Sequence, residues 1–163
     1  MRFSLGKITI PLAVIIIGCS GCAKIQSSSP EDGYNTDYAM SAVEYTIFLN
    51  KQISVASNIL FTRMSMAGSV ADSDYEAEKE IQSTQEAISK MEAVKDEVTV
   101  TMPAASLETD RQNILDLLED SLNALNTYQE HLQNGELDKL DNSAIELKNC
   151  FTALSGEANT YYQ

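Results

Sequence analysis

The chain has 163 residues, room for one ordinary domain and a short targeting segment. Its formal net charge of −13 opposes binding to nucleic acid and to anionic lipid headgroups and favours cations or basic partners. Apolar residues make up 44%, enough for a core, and only 3 prolines and 7 glycines interrupt it, a balance that favours helix over strand.

Residues 1–18 come first. Arg2 and Lys7 supply a positive lead, and residues 8–17 (ITIPLAVIII) form an apolar run. A bilayer core needs roughly 20 apolar residues, so the run is too short to span one. Positive lead, short apolar run and small residue together make a secretory signal peptide.

The four residues that end this segment, Ile16-Ile17-Gly18-Cys19, resemble the lipobox of bacterial lipoproteins. That resemblance implies transfer of a diacylglyceryl group to the Cys19 thiol and cleavage after Gly18. It makes Cys19 the lipidation site and places the protein on the extracytoplasmic face of a membrane, in the cell envelope. Cys22 is a competing acceptor, but its upstream triplet Cys19-Ser20-Gly21 lacks the aliphatic residue. A signal cleaved without lipid is the third possibility. Two acyl chains suffice for stable anchoring, at roughly 0.8 kcal/mol per buried methylene, so no polybasic patch is needed. By the same family pattern, Ser20 beside the lipidated Cys leaves an outer-membrane address open.

Residues 19–35 are rich in Ser, Gly and Pro and read as a flexible tether. A random coil of that length spans roughly 20–25 Å. From Cys19 onward the chain carries 9 basic and 24 acidic residues, a net −15.

Residues 36–163 show helical periodicity almost throughout. A first helix is expected over 36–67, starting at Thr36-Asp37, with the stripe Ala42, Tyr45, Leu49, Ile53, Ala56, Leu60, Met64, Ala67, and ending at Gly68. Ser73-Asp74-Tyr75-Glu76 fits a capping box opening a second helix. Its apolar line is Ala77, Ile81, Ile88, Met91, Val94 and Val98. Pro103 suits the first turn of a third helix, whose stripe runs through Leu107, Ile114, Leu118, Leu122, Leu125, Tyr128 and Leu132 to a stop at Asn134-Gly135. The fourth seam is Leu137, Leu140, Ala144, Leu147, Phe151, Leu154, Ala158 and Tyr161.

Four such helices with short connections predict an all-α fold, an antiparallel four-helix bundle in up-down-up-down order. Two helical hairpins completed by a partner chain are the alternative. In the bundle both termini lie at one end. The tether and the connection around residues 98–103 then share the membrane side, and the connections near 68–72 and 134–136 face away.

The remaining motifs favour ordinary structural roles. Cys150 flanks the fourth seam as a small hydrophobe, and a Cys22–Cys150 disulfide is the other reading. His131, the only histidine, suits a helix C-terminus and has no ligand partner at metal spacing. Met64 and Met66 form a copper-like pair in outline, but residues two apart on a helix point apart. Asp72, Asp74, Glu76, Glu78 and Glu80 fail the EF-hand pattern at its glycine and at its final glutamate. No nucleophile elbow, phosphate loop or dinucleotide fingerprint is present. The carboxylates are expected on solvated faces, without catalytic pKa shifts. No catalytic residue, cofactor or metal site is therefore assigned.

The function expected is a membrane-anchored, non-enzymatic protein-interaction module of the cell envelope, with an envelope protein as partner and no nucleic acid. The first helix is the surface to watch: Val43, Ile47, Phe48, Val55, Ile59 and Phe61 exceed what one stripe can bury. The alternative is a sensory or ligand-binding bundle working with a transmembrane partner. In helix count and length the domain resembles the extracytoplasmic domains of bacterial chemoreceptors. A ligand-binding bundle should hold inward-facing polar groups, whereas the seams read as nearly all apolar.

Overall fold

The computed structural model describes residues 40–71 and 77–160. They form four helices, α1 (Ala42–Ala71), α2 (Ala77–Val100), α3 (Glu108–Gln133) and α4 (Leu140–Thr160), with 3₁₀ turns at Ala105–Leu107 and Leu137–Lys139. No strand occurs among the described residues. The fold is an all-α four-helix bundle, as the periodicity predicts.

Helix α1 starts later than expected, at Ala42. Its first turn is closed by a capping box that the sequence reading passed over. The Ser41 amide donates to Glu44 Oε2 at 3.0 Å, and the Glu44 amide donates to Ser41 Oγ at 3.3 Å. These bonds hold the Glu44 carboxyl below its ordinary pKa, with the Ser41 hydroxyl the main cause. The expected start at residues 36–37 lies outside the described residues.

The expected stop at Gly68 is wrong. Helix α1 runs through it to Ala71. A mid-helix glycine costs about 1 kcal/mol relative to alanine. One further turn carries Val70 into the core, where it is 1% exposed. Burying a valine is worth about 1.5–3 kcal/mol, so the longer helix wins. The box at residues 73–76 lies outside the described residues.

Pro103 also departs from expectation. It is buried in the connection after α2, a 3₁₀ turn follows it, and α3 begins only at Glu108. The Asn134-Gly135 stop holds. Gly135 has φ 68°, its amide donates to the Leu132 carbonyl at 3.2 Å, and the Glu136 amide donates to that of His131 at 2.9 Å. That double closure is the Schellman motif, which favours a residue without Cβ at the left-handed position. Leu137, expected to open the fourth seam, lies in a 3₁₀ turn and is exposed.

Each helix packs on its sequence neighbours, and α1 also packs on α4, more extensively than on α2. Cross-helix hydrogen bonds pair rising numbers with falling ones. Gln52 meets Glu97 and Arg63 meets Glu80 between α1 and α2, and Gln85 meets Gln129 and Lys95 meets Glu119 between α2 and α3. These contacts are compatible with antiparallel neighbours.

All four seams meet in one core. Tyr45, Leu49, Ile53, Met91, Leu118, Leu125, Leu147 and Leu154 are fully buried, as the stripes predict. Ala42 is exposed instead, and Met64, Ile81, Ala144 and Phe151 are half-buried at its margin. Tyr161 lies outside the described residues. At one end the Met40 amide donates to the Met102 carbonyl at 3.3 Å, so the chain joins the bundle beside the α2–α3 connection. Arg111 donates to the carbonyls of Thr99 at 2.9 Å and Val98 at 3.3 Å, which satisfies the C-terminal end of α2.

Candidate functional site

The looser seam between α1 and α2 leaves a groove of about 1020 Å³. Its origin is side-chain size. On α2 the lining positions include Ser83, Ala87 and Ala93, too small to fill the space opposite Val55 and Ile59 of α1. Lys51, Glu86, Lys90 and Glu97 stand along it. Side-chain bridges tie its two ends: Gln52 Nε2 donates to Glu97 Oε2 at 2.5 Å, and Arg63 Nη1 donates to Glu80 Oε1 at 2.9 Å. Val55 is 41% exposed, so an apolar side chain faces outward between the two bridges.

Behind the Arg63 end lies a buried polar layer. Glu80 is 4% exposed and Tyr128 is fully buried. Oε1 of Glu80 also accepts from the Tyr128 hydroxyl at 3.1 Å. Burial pushes the Glu80 carboxyl above its ordinary pKa, while the Arg63 guanidinium and the Tyr128 hydrogen bond pull it down. Burial and the neighbouring carboxylate drive the Tyr128 phenol strongly upward, so it stays protonated. Glu80 itself does not line the groove, and both its partners belong to the bundle. The arrangement can hold helices in register; it offers no proton to a molecule in the groove.

The expectation that every carboxylate is solvated therefore fails at Glu80. So does the expectation of nearly all-apolar seams, since Gln52, Thr84, Ser121, Gln129 and Ser143 are buried as well. A signal was present in the sequence. The α2 seam is continuous through positions 80, 84, 87, 88, 91, 94 and 98 once polar residues are admitted to it, and the apolar line skipped position 84.

The other residues singled out fall as follows. Cys19, Cys22, Asp72, Asp74 and Glu76 lie outside the described residues. Cys150 carries a free, half-buried thiol, raised above its ordinary pKa chiefly by burial. His131 is half-buried, its Nδ1 2.8 Å from Ser143 Oγ, so it ties α3 to α4 rather than standing free. Met64 packs against the core. Among the described residues no three His, Cys, Asp or Glu side chains gather as a metal site would need. No described helix is long and apolar enough to cross a membrane. Phe61 and Val55 are exposed as expected, whereas Phe48 and Ile59 are half-buried against the core.

No family model, no curated protein and no solved structure matches the chain.

Proposed function

We propose that the protein is a lipoprotein of the cell envelope, anchored on the extracytoplasmic side of a membrane through acyl chains on Cys19. Its bundle works as a non-enzymatic interaction module. The α1–α2 groove is the observation that carries the second half of this reading. It extends along α1 from Lys51 to Arg63, about 18 Å at roughly 1.5 Å per residue, which accommodates about three turns of helix. An apolar floor between charged rims suits an amphipathic helix laid lengthwise. Lys51, Arg63 and Lys90 line it beside Glu86 and Glu97, so the groove is less acidic than the domain as a whole and repels an acidic helix of another envelope protein less than the rest of the surface does.

A photo-crosslinking side chain at Val55, compared with one at Glu146 on α4, tests this in the envelope of the producing cell. The reading requires a discrete adduct from position 55 that Ala93→Glu abolishes. Equal labelling from both positions contradicts it. The sensory alternative draws support from the polar side chains that line the groove, Asn58 and Thr62 among them, and from a groove volume near the upper end of small-molecule sites, about 300–1,000 Å³. A small ligand there would raise the melting temperature of the isolated protein, whereas a helix partner absent from the sample would not.

A further inference from the structure

We propose that the end of the bundle where the chain joins it, formed by Met40, Val43, Val100 and Met102, rests on the surface of the bilayer that holds the anchor. This rests on the anchored reading of Cys19. Met102 is 58% exposed, Val43 70% and Val100 76%, and all three lie in or beside the segments tied by the bond from Met40 to Met102. Exposed apolar residues scattered singly need no explanation. These sit together at one end of the molecule, and the charge pattern sets that end apart.

Residues 98–107 (VTVTMPAASL) contain no charged side chain, and neither do residues 40–43 (MSAV). The opposite end is charged: its α3–α4 connection carries Glu136, Asp138 and Lys139. Three of the ionic groups near this end have partners. Glu108 pairs with Arg111 at 2.8 Å, Arg111 caps α2, and Glu44 closes the first turn of α1.

A domain with this much negative charge meets a lipid surface with least opposition where its charge is sparsest, and among the described residues the apolar face around Val100 and Met102 is such a place. Cys19 precedes Met40 by 21 residues, a reach of at most about 75 Å, so the tether permits this contact. The occupant is therefore a zwitterionic lipid surface, met by shallow contact without a membrane span. The contact orients the groove and the far loops away from the membrane.

The chain has no tryptophan, so a single introduced one reports without background. The test uses the full acylated chain with phosphatidylcholine vesicles whose acyl chains are brominated. Met102→Trp probes this end, and Leu137→Trp, at a 40% exposed position, probes the other. The proposal requires blue-shifted emission and loss of intensity for Met102→Trp on vesicles, with Leu137→Trp unchanged. If both variants float with the vesicles and neither, or both equally, are quenched, the proposal is overturned while the anchor stands. A blue shift at position 102 that brominated lipid does not quench means another protein or a second copy covers this end, which also overturns it. If the chain does not float at all, as expected of a Cys19→Ala control, the anchored reading has failed and the proposal falls with it.

Discussion

Tyr128 on α3 donates its hydroxyl hydrogen to Oε1 of Glu80 on α2 across 3.1 Å of closed interior. Arg63 of α1 donates to the same oxygen at 2.9 Å. One carboxylate thus joins three helices at a single level of the bundle. Slipping any of the three along its axis would strand a buried charge or hydroxyl, which gives the arrangement its value for register. Tyr128→Phe removes one of the two bonds and should lower stability by about 1 kcal/mol, read as a shift of the urea midpoint.

The same carboxylate gives the protein a pH dependence. Burial, the dominant influence, raises the Glu80 pKa in the folded state above its unfolded value. Between those two values the folded chain holds more protons than the unfolded one. Stability from this site is fully present below the unfolded pKa and is lost as pH rises through the folded pKa. Glu80→Gln keeps an acceptor oxygen for Arg63 and Tyr128 and removes the titration. Its stability relative to wild type should therefore be most favourable at neutral pH, should decline as pH falls through the raised folded-state pKa of Glu80, and should level off below about pH 4, where the carboxyl is protonated in both the folded and the unfolded chain. Urea unfolding of both proteins from acid to neutral pH checks the sign. A relative gain for Glu80→Gln that grows toward acid contradicts it.

The two glycines that the sequence suggests as helix ends make opposite predictions. Gly68 lies inside α1 with open space around the site of a missing Cβ. Gly68→Ala should raise stability by about 1 kcal/mol, because alanine is the better helix former. Gly135 has φ 68°, and Gly135→Ala should lower stability by about 1 kcal/mol through backbone strain. Thermal melting of the two variants separates them. A loss of stability in Gly68→Ala would restore the helix end that the sequence suggests there.

The sequence showed most of the scaffold, for reasons that the residues make plain. Leu118, Leu125, Leu147 and Leu154 recur at helical steps, and any four such stripes must meet to leave water. Gly135 announced its turn because an Asn-Gly pair after the last periodic residue fits a left-handed closure. Gly68 misled because local propensity is weak beside the burial of Val70 two residues on. Glu80 and Thr84 were missed because an apolar template skips polar residues at core spacing. Only the arrival of Arg63 from another helix makes a glutamate tolerable there. The groove was not legible at all, since it depends on how small residues of α2 face larger ones of α1.

Phe48 and Phe61 looked alike in sequence and differ in place. Phe48 is half-buried beside Tyr45, its ring centroid 5.6 Å away, whereas Phe61 is 51% exposed and touches Phe151 at 6.0 Å. A fully buried phenylalanine costs about 3–5 kcal/mol when truncated. Phe48→Ser should cost about 2 kcal/mol at partial burial. Phe61→Ser should cost about 1 kcal/mol or less, roughly the worth of one aromatic pair. Equal costs for the two would show that the outer face of α1 is covered.

The central claim is the anchor on Cys19. Its most direct test is intact mass and detergent partitioning of wild type beside Cys19→Ala, both produced in a bacterial host. Wild type should lose residues 1–18, gain the mass of a diacylglyceryl group and follow the detergent, while Cys19→Ala stays in water. A wild type that is cleaved without added lipid and remains in the aqueous phase would contradict the claim and make the bundle a freely secreted protein.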